Sequence, residues 1–161
     1  MFDNQKPVLL LLYLANLLLM SIPGLEFSGS VHRGVPIGNS DFLKKKRDNY
    51  RSEYAAGTKI YLPAPTSTSM DDAKASEIMG LNGGIIFTYL DVSGLLMSKD
   101  DLSMYDEAEV LLMGPMVFKV ISSVLFGKIV HVTCVVEPTE IRYLVPHYHV
   151  ILPFPNPVPL P

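Results

Sequence analysis

The chain has no tryptophan and a single cysteine, Cys134. One thiol excludes an internal disulfide framework and a cysteine-based zinc site. Positive charge is also scarce: 13 Lys and Arg against 16 Asp and Glu leave a formal net charge of −3. Without a basic surplus there is no general attraction to polyanions, which argues against nucleic acid as the main partner. The phosphate-cradling patterns GxxxxGK and GxGxxG are missing, and no internal repeat is visible. What the sequence does hold is apolar material. Hydrophobic residues make up 48% and charged residues 18% of 161 positions, which suits the core of one domain and excludes a mostly disordered chain. The 13 prolines and 11 glycines favour short strands and turns over a long helical bundle.

Residues 7–22 read PVLLLLYLANLLLMSI, an apolar run shorter than the about 20 residues of a spanning helix. A membrane is therefore not an expected partner. Asp3 and Lys6 cancel, so the basic start of a secretory signal is missing. Leucine on every side of such a helix asks for burial. The segment reads as a buried helix or as a signal removed on export, with Pro23-Gly24 ending the helix or preceding the cleavage site. A cytoplasmic or a secreted location follows from that choice. The expected organisation is a Leu-rich N-terminal helix over 1–24, one domain over 25–152, and a Pro-rich tail over 153–161.

Within that domain, residues 26–37 carry Phe27, Val31 and Val35 at strand spacing, with Arg33 among them. Residues 41–54 predict one helix with Asp41 as its N-cap and Leu43, Tyr50 and Tyr54 on one face. The run Lys44 to Arg47 reads as a solvated helix face, diluted by Asp48 and Glu53. Gly57 ends the helix, 58–62 form a strand, and 63–70 are a Pro-bounded segment. A short helix over 71–81 carries Asp71 and Asp72 in its first turn, and 82–84 turn. A strand follows over 85–92, then a polar loop over 93–105. Residues 107–120 predict two strands broken at Gly114-Pro115, and further strands cover 128–136 and 143–152. Helices come early and strands late, an α+β pattern.

Three places hold residues that could do chemistry. Glu107-Ala108-Glu109 opens a predicted strand, so both carboxylates face one side. Such a pair is either a solvated edge or a site awaiting a cation. Arg33, beside Gly34, is either an exposed strand arginine or a planar, bidentate partner for a phosphate or carboxylate. Ser67-Thr68-Ser69 is a loop-type hydroxyl run in which Ser69 could cap the following helix. Cys134 reads as a small core residue. His131, His147 and His149 lack matching Cys or carboxylate partners, so no metal is expected.

Taken in order, Arg33-Gly34, then Ser67-Thr68-Ser69, then Glu107-x-Glu109 resembles the arginine-specific mono-ADP-ribosyltransferase family. The flanks YAAGTKIYLPAPTSTSMDDA and LSMYDEAEVLLMGPMVFKVIS are similar to family passages, and the resemblance runs from about residue 26 to residue 136. It implies an ADP-ribosyltransferase-like split β-sandwich, two packed sheets with short flanking helices on the N-terminal side. It implies NAD as substrate, a protein arginine as acceptor and no metal. Glu109 would be the central catalytic carboxylate, Glu107 would hold the acceptor guanidinium, and Ser67 would fix the rotamer of Glu109. Arg33, Gly34, Thr68 and Ser69 would form the cofactor-binding set. In it, Arg33 takes the pyrophosphate or adenosine side, and the Gly34 backbone pairs with the nicotinamide amide. Tyr105 would recognise the acceptor. Two variants of the same reading are an NAD glycohydrolase and a fold that retains NAD without turnover.

Overall fold

The computed structural model describes residues 23–97, 108–113 and 116–137. The Leu-rich run, the strand expected at 143–152, the tail, His147 and His149 lie outside them. Seven strands and three short helices are described: β1 (Glu26–Pro36), α1 (Asp41–Asp48), α2 (Tyr50–Glu53), β2 (Lys59–Leu62), β3 (Thr66–Ser69), α3 (Asp72–Glu77), β4 (Gly84–Leu96), β5 (Glu109–Leu112), β6 (Met116–Phe126) and β7 (Ile129–Val136). None of these helices is long and apolar enough to cross a membrane.

The organising element is β4. Its first half pairs parallel with β7, from Gly84↔Ile129 to Leu90↔Val135, and antiparallel with β1 on its other edge. At Asp91 the backbone enters the left-handed region, φ 51°, a conformation that Asp tolerates better than most side chains. Beyond that point Leu95 and Leu96 pair with Leu111 and Val110 of β5. β5 pairs with β3, and β3 meets β1 at His32↔Ser69. Strands β1, β3, β5 and β4 thereby close on themselves, while β7, β6 and β2 continue outward.

This corrects the expectation of two separate packed sheets, because one hydrogen-bonded array holds all seven strands. It also corrects the loop expected from residue 93. Ser93 and Gly94 look like turn residues, yet Gly94 is where β5 comes closest. A Cβ there would lie 2.7 Å from Val110 Cγ1 and 2.9 Å from the Leu111 carbonyl.

The core explains the strand set. Branched and aromatic residues of β4, β6 and β7 fill it, with Phe87 stacked on Tyr89 and the Phe118 ring tilted against Tyr89. Burial pushes the Cys134 thiol up to about 12, so this cysteine is an inert core group rather than a nucleophile. On β7, His131 and Thr133 face away from the buried Val130, Val132 and Cys134, as the alternation predicts.

The helix expected over 41–54 is two helices. Ser40, not Asp41, is the cap; its hydroxyl accepts from the Leu43 amide at 3.3 Å. The chain breaks at Asn49, a poor helix former, and the break lets Tyr50 and Tyr54 pack on the core. Arg47 at the end of the basic run is tied down, donating to Asp48 Oδ1 at 2.7 Å and to the Asn82 carbonyl at 2.7 Å.

Candidate active site

β3 is a strand despite its loop-like composition, because β5 supplies a full ladder from Thr66↔Leu112 to Ser69↔Glu109. The two threonines turn inward and are buried. The Thr68 hydroxyl donates to the Val110 carbonyl at 2.6 Å, so Thr68 ties β3 to β5. Ser67 and Ser69 therefore face the other way. Ser69 Oγ accepts from the Asp71 amide at 3.0 Å, and Asp71 itself caps α3 by accepting from Ala73.

On β5 the buried Val110 and Leu112 fix the parity and turn Glu109 outward, beside Ser67. The Ser67 hydroxyl donates to Glu109 Oε1 at 2.5 Å, a short hydrogen bond that joins β3 to β5. Two residues 42 positions apart thus share one point. The Glu109 carbonyl accepts from the Met97 amide at 2.8 Å, which anchors the strand end that carries the carboxylate.

The strand geometry assumed for the acidic pair needs correction. β5 opens at Glu109, and Ala108 is in the left-handed region at φ 47°, so strand alternation does not run back through it. Glu107 and Tyr105 lie outside the described residues.

On β1, Val31 is buried in the core and Val35 packs against it. Alternation puts Arg33 on that same face, within electrostatic reach of Tyr89. His32 takes the opposite face. It stands across from Ser69 and its Nδ1 is 3.1 Å from the Thr88 hydroxyl. Gly34 shares the His32 face and is the seat of α3: a Cβ there would lie 2.3 Å from the Ala75 carbonyl and 2.5 Å from Met79 Cε. No rotamer relieves a clash with a backbone oxygen. We expect Gly34→Ala to push α3 outward and to cost about 1–3 kcal/mol, read as a lower urea midpoint at an unchanged slope.

His32, Ser67, Ser69, Lys74, Ile78 and Glu109 line a cavity of about 140 Å³. Typical ligand pockets hold roughly 300–1,000 Å³, so the described walls suit one sugar or ring of a larger ligand. A roomier hollow, about 410 Å³, lies at the α1–α2 junction from Asp48 to Ser52, and its lining includes neither Ser67 nor Glu109. Among the described residues no group of three or more His, Cys, Asp or Glu could hold a metal ion. Of the expected site residues the cavity lining takes in Ser67, Thr68, Ser69 and Glu109, and it does not include Arg33 or Gly34. Sequence reading passed over His32 and Lys74. Strand parity from Val31 and Val35 was the available signal for the first, and the helical spacing of Lys74, Ala75 and Ile78 for the second.

A carboxylate held by a serine at the wall of a small cleft can stabilise positive charge developing on a bound sugar. The fold carries the same suggestion. No protein-family model and no curated protein sequence matches the chain. Solved structures do. The ADP-ribosyltransferase HopU1 of Pseudomonas syringae pv. Tomato DC3000 matches 70% of this chain at 20% identity with TM-score 0.53, over 46% of its own chain. Vis toxin, an ADP-ribosyltransferase from Vibrio splendidus, matches 85% of this chain at 14% identity with TM-score 0.52, over 62% of its own. C3stau2 from S. aureus, solved with NAD, matches 68% at 16% identity with TM-score 0.50, again over 62% of its own. The chain has the fold of these ADP-ribosyltransferases. It spans 46–62% of the length of these three structures.

Proposed function

We propose that this protein transfers ADP-ribose from NAD to a protein arginine and releases nicotinamide. The observation that carries the reading is the Ser67–Glu109 hydrogen bond, set in a fold shared with ADP-ribosyltransferases. In the reaction the bond from the ribose C1′ to the nicotinamide nitrogen breaks and its electron pair leaves with nicotinamide. The sugar becomes oxocarbenium-like, and the Glu109 carboxylate stabilises that charge. Ser67 holds the carboxylate in one rotamer. A guanidinium is always protonated in water and is a poor nucleophile. Glu107 orients it and takes the proton lost as its nitrogen bonds to C1′. Tyr105 recognises the acceptor.

Water is a second acceptor for the same chemistry: Glu109 stabilises the oxocarbenium-like sugar whichever nucleophile follows, and a water can take the place of the guanidinium. NAD hydrolysis is then the side activity, or the main one in a glycohydrolase.

Incubation with NAD and agmatine, a free guanidino acceptor, separates these outcomes. Arginine transfer yields nicotinamide and ADP-ribosylagmatine together. Nicotinamide without the adduct identifies a glycohydrolase. No product, with NAD still raising the melting temperature, identifies a binding protein without turnover. No product and no thermal shift would end the NAD reading.

A further inference from the structure

We propose that the end of the sheet carrying Leu81 and Phe126 docks on an anionic membrane surface. Such docking is independent of the activity proposed above. The length of the Leu-rich run argued against a spanning segment, and peripheral docking needs none.

Three connections meet at that end of the sheet. β1 runs into α1 through residues 37–40, α3 runs into β4 through 78–83, and β6 turns into β7 at Gly127-Lys128. Hydrogen bonds lace them together. The Ile37 amide donates to the Gly83 carbonyl at 3.1 Å, and the Gly84 amide to the Lys128 carbonyl at 3.2 Å. Asn82 Nδ2 donates to the Gly38 carbonyl at 2.9 Å, and Lys128 Nζ to the Leu81 carbonyl at 3.2 Å. Gly80 and Gly127, the chain neighbours of Leu81 and Phe126, stand in open space: a Cβ on either would meet nothing within 4 Å. Fixed, open tips of this kind suit a planar interface better than they suit the enclosure of a peptide.

The side chains at these tips are apolar and basic. Leu81 is 92% exposed, Phe126 79%, and Phe42, at the start of α1, 67%. Single exposed apolar residues need no explanation, but three gathered at one end make a patch that marks an interaction. Segments 37–48, 78–83 and 124–129 hold five cations, Lys44, Lys45, Lys46, Arg47 and Lys128, against two acids, Asp41 and Asp48, in a chain whose net charge is −3. Arg47 is paired with Asp48. Lys46 stands 5.0 Å from the centroid of the Phe42 ring and 3.7 Å from Glu53. Lys44 and Lys45 are exposed and form no ion pair among the described residues. Apolar tips beside lysines match a bilayer of anionic lipid: the tips enter the acyl boundary while the ammonium groups meet the charged headgroups. Protein interfaces are depleted in lysine, and a second copy would bring two basic surfaces together.

The test is co-sedimentation of the full chain with phosphatidylcholine vesicles, with and without about one third phosphatidylserine. The chain should bind the phosphatidylserine vesicles, and binding should weaken at least about tenfold as salt rises from about 0.05 M to about 0.5 M. Leu81→Ser with Phe126→Ser should lower the partition constant about 100-fold, and Lys44→Gln with Lys45→Gln about 25-fold. Both double variants keep the wild-type melting temperature, because all four side chains are exposed. Tyr61→Ser removes an exposed aromatic opposite Val117, near the other end of β6, and should bind as wild type does. Equal binding to both kinds of vesicle, or to neither, overturns the proposal. So does vesicle binding that survives both double variants, the mark of attachment through another part of the chain. Self-association that Leu81→Ser with Phe126→Ser abolishes, with vesicle binding intact, gives the face to a second copy and overturns it too. None of these outcomes bears on nicotinamide release from NAD.

Discussion

Glu109→Gln lowers nicotinamide release from NAD by at least about 10²–10³-fold, the loss that follows removal of one preorganised electrostatic contact to a transition state. The substitution is close to isosteric. The amide oxygen of glutamine can still accept the proton that Ser67 now donates to Glu109 Oε1, so β3 and β5 keep their tie. Val110 and Leu112, which bury the other face of β5, are untouched. The missing component is the negative charge, needed only when the ribose becomes cationic. The loss therefore falls on kcat, with binding of NAD and the melting temperature close to wild type. Both acceptors, water and a guanidino group, lose together, because both react after the same bond has weakened. A glutamine variant retaining a tenth of wild-type nicotinamide release would show that Glu109 is not the carboxylate that matters.

That prediction depends on a pairing the sequence made legible only by analogy. Taken alone, Ser67-Thr68-Ser69 carries loop composition. It becomes a strand because β5 offers it a ladder, and the two inward threonines gain burial in the process. Tertiary pairing overrides weak local preference here. Where local preference was strong, sequence and structure agree closely. The branched and aromatic runs within β4, β6 and β7 and the separation of β5 from β6 were readable from residue type, although β4 and β6 run on to Leu96 and Phe126, past the expected ends at 92 and 120.

Parity was harder. The stretch from Glu107 to Glu109 looked like a strand opening, but the left-handed turn at Ala108 interrupts the alternation, and nothing about alanine announces such a turn. The reverse holds on β1. Val31 and Val35 already implied that Arg33 faces the core side, and the chemistry of an arginine beside a glycine drew attention away from His32. Gly34 shows a similar trade: its missing side chain reads as room for a ligand's backbone contact, while the structure uses the room to seat α3.

Glu107→Gln should separate the two halves of the chemistry. Nicotinamide release by water stays within about twofold of wild type, and the yield of ADP-ribosylagmatine falls at least about 10²-fold, the usual contribution of a positioned general base. A guanidinium brings a proton that must leave as the new bond forms, whereas the C1′–nitrogen bond breaks without it. Glutamine can still hydrogen-bond a guanidinium but cannot take its proton. Adduct formation at the wild-type rate from Glu107→Gln would mean that arginine is deprotonated elsewhere. The site would then owe its acceptor preference to something other than its second glutamate.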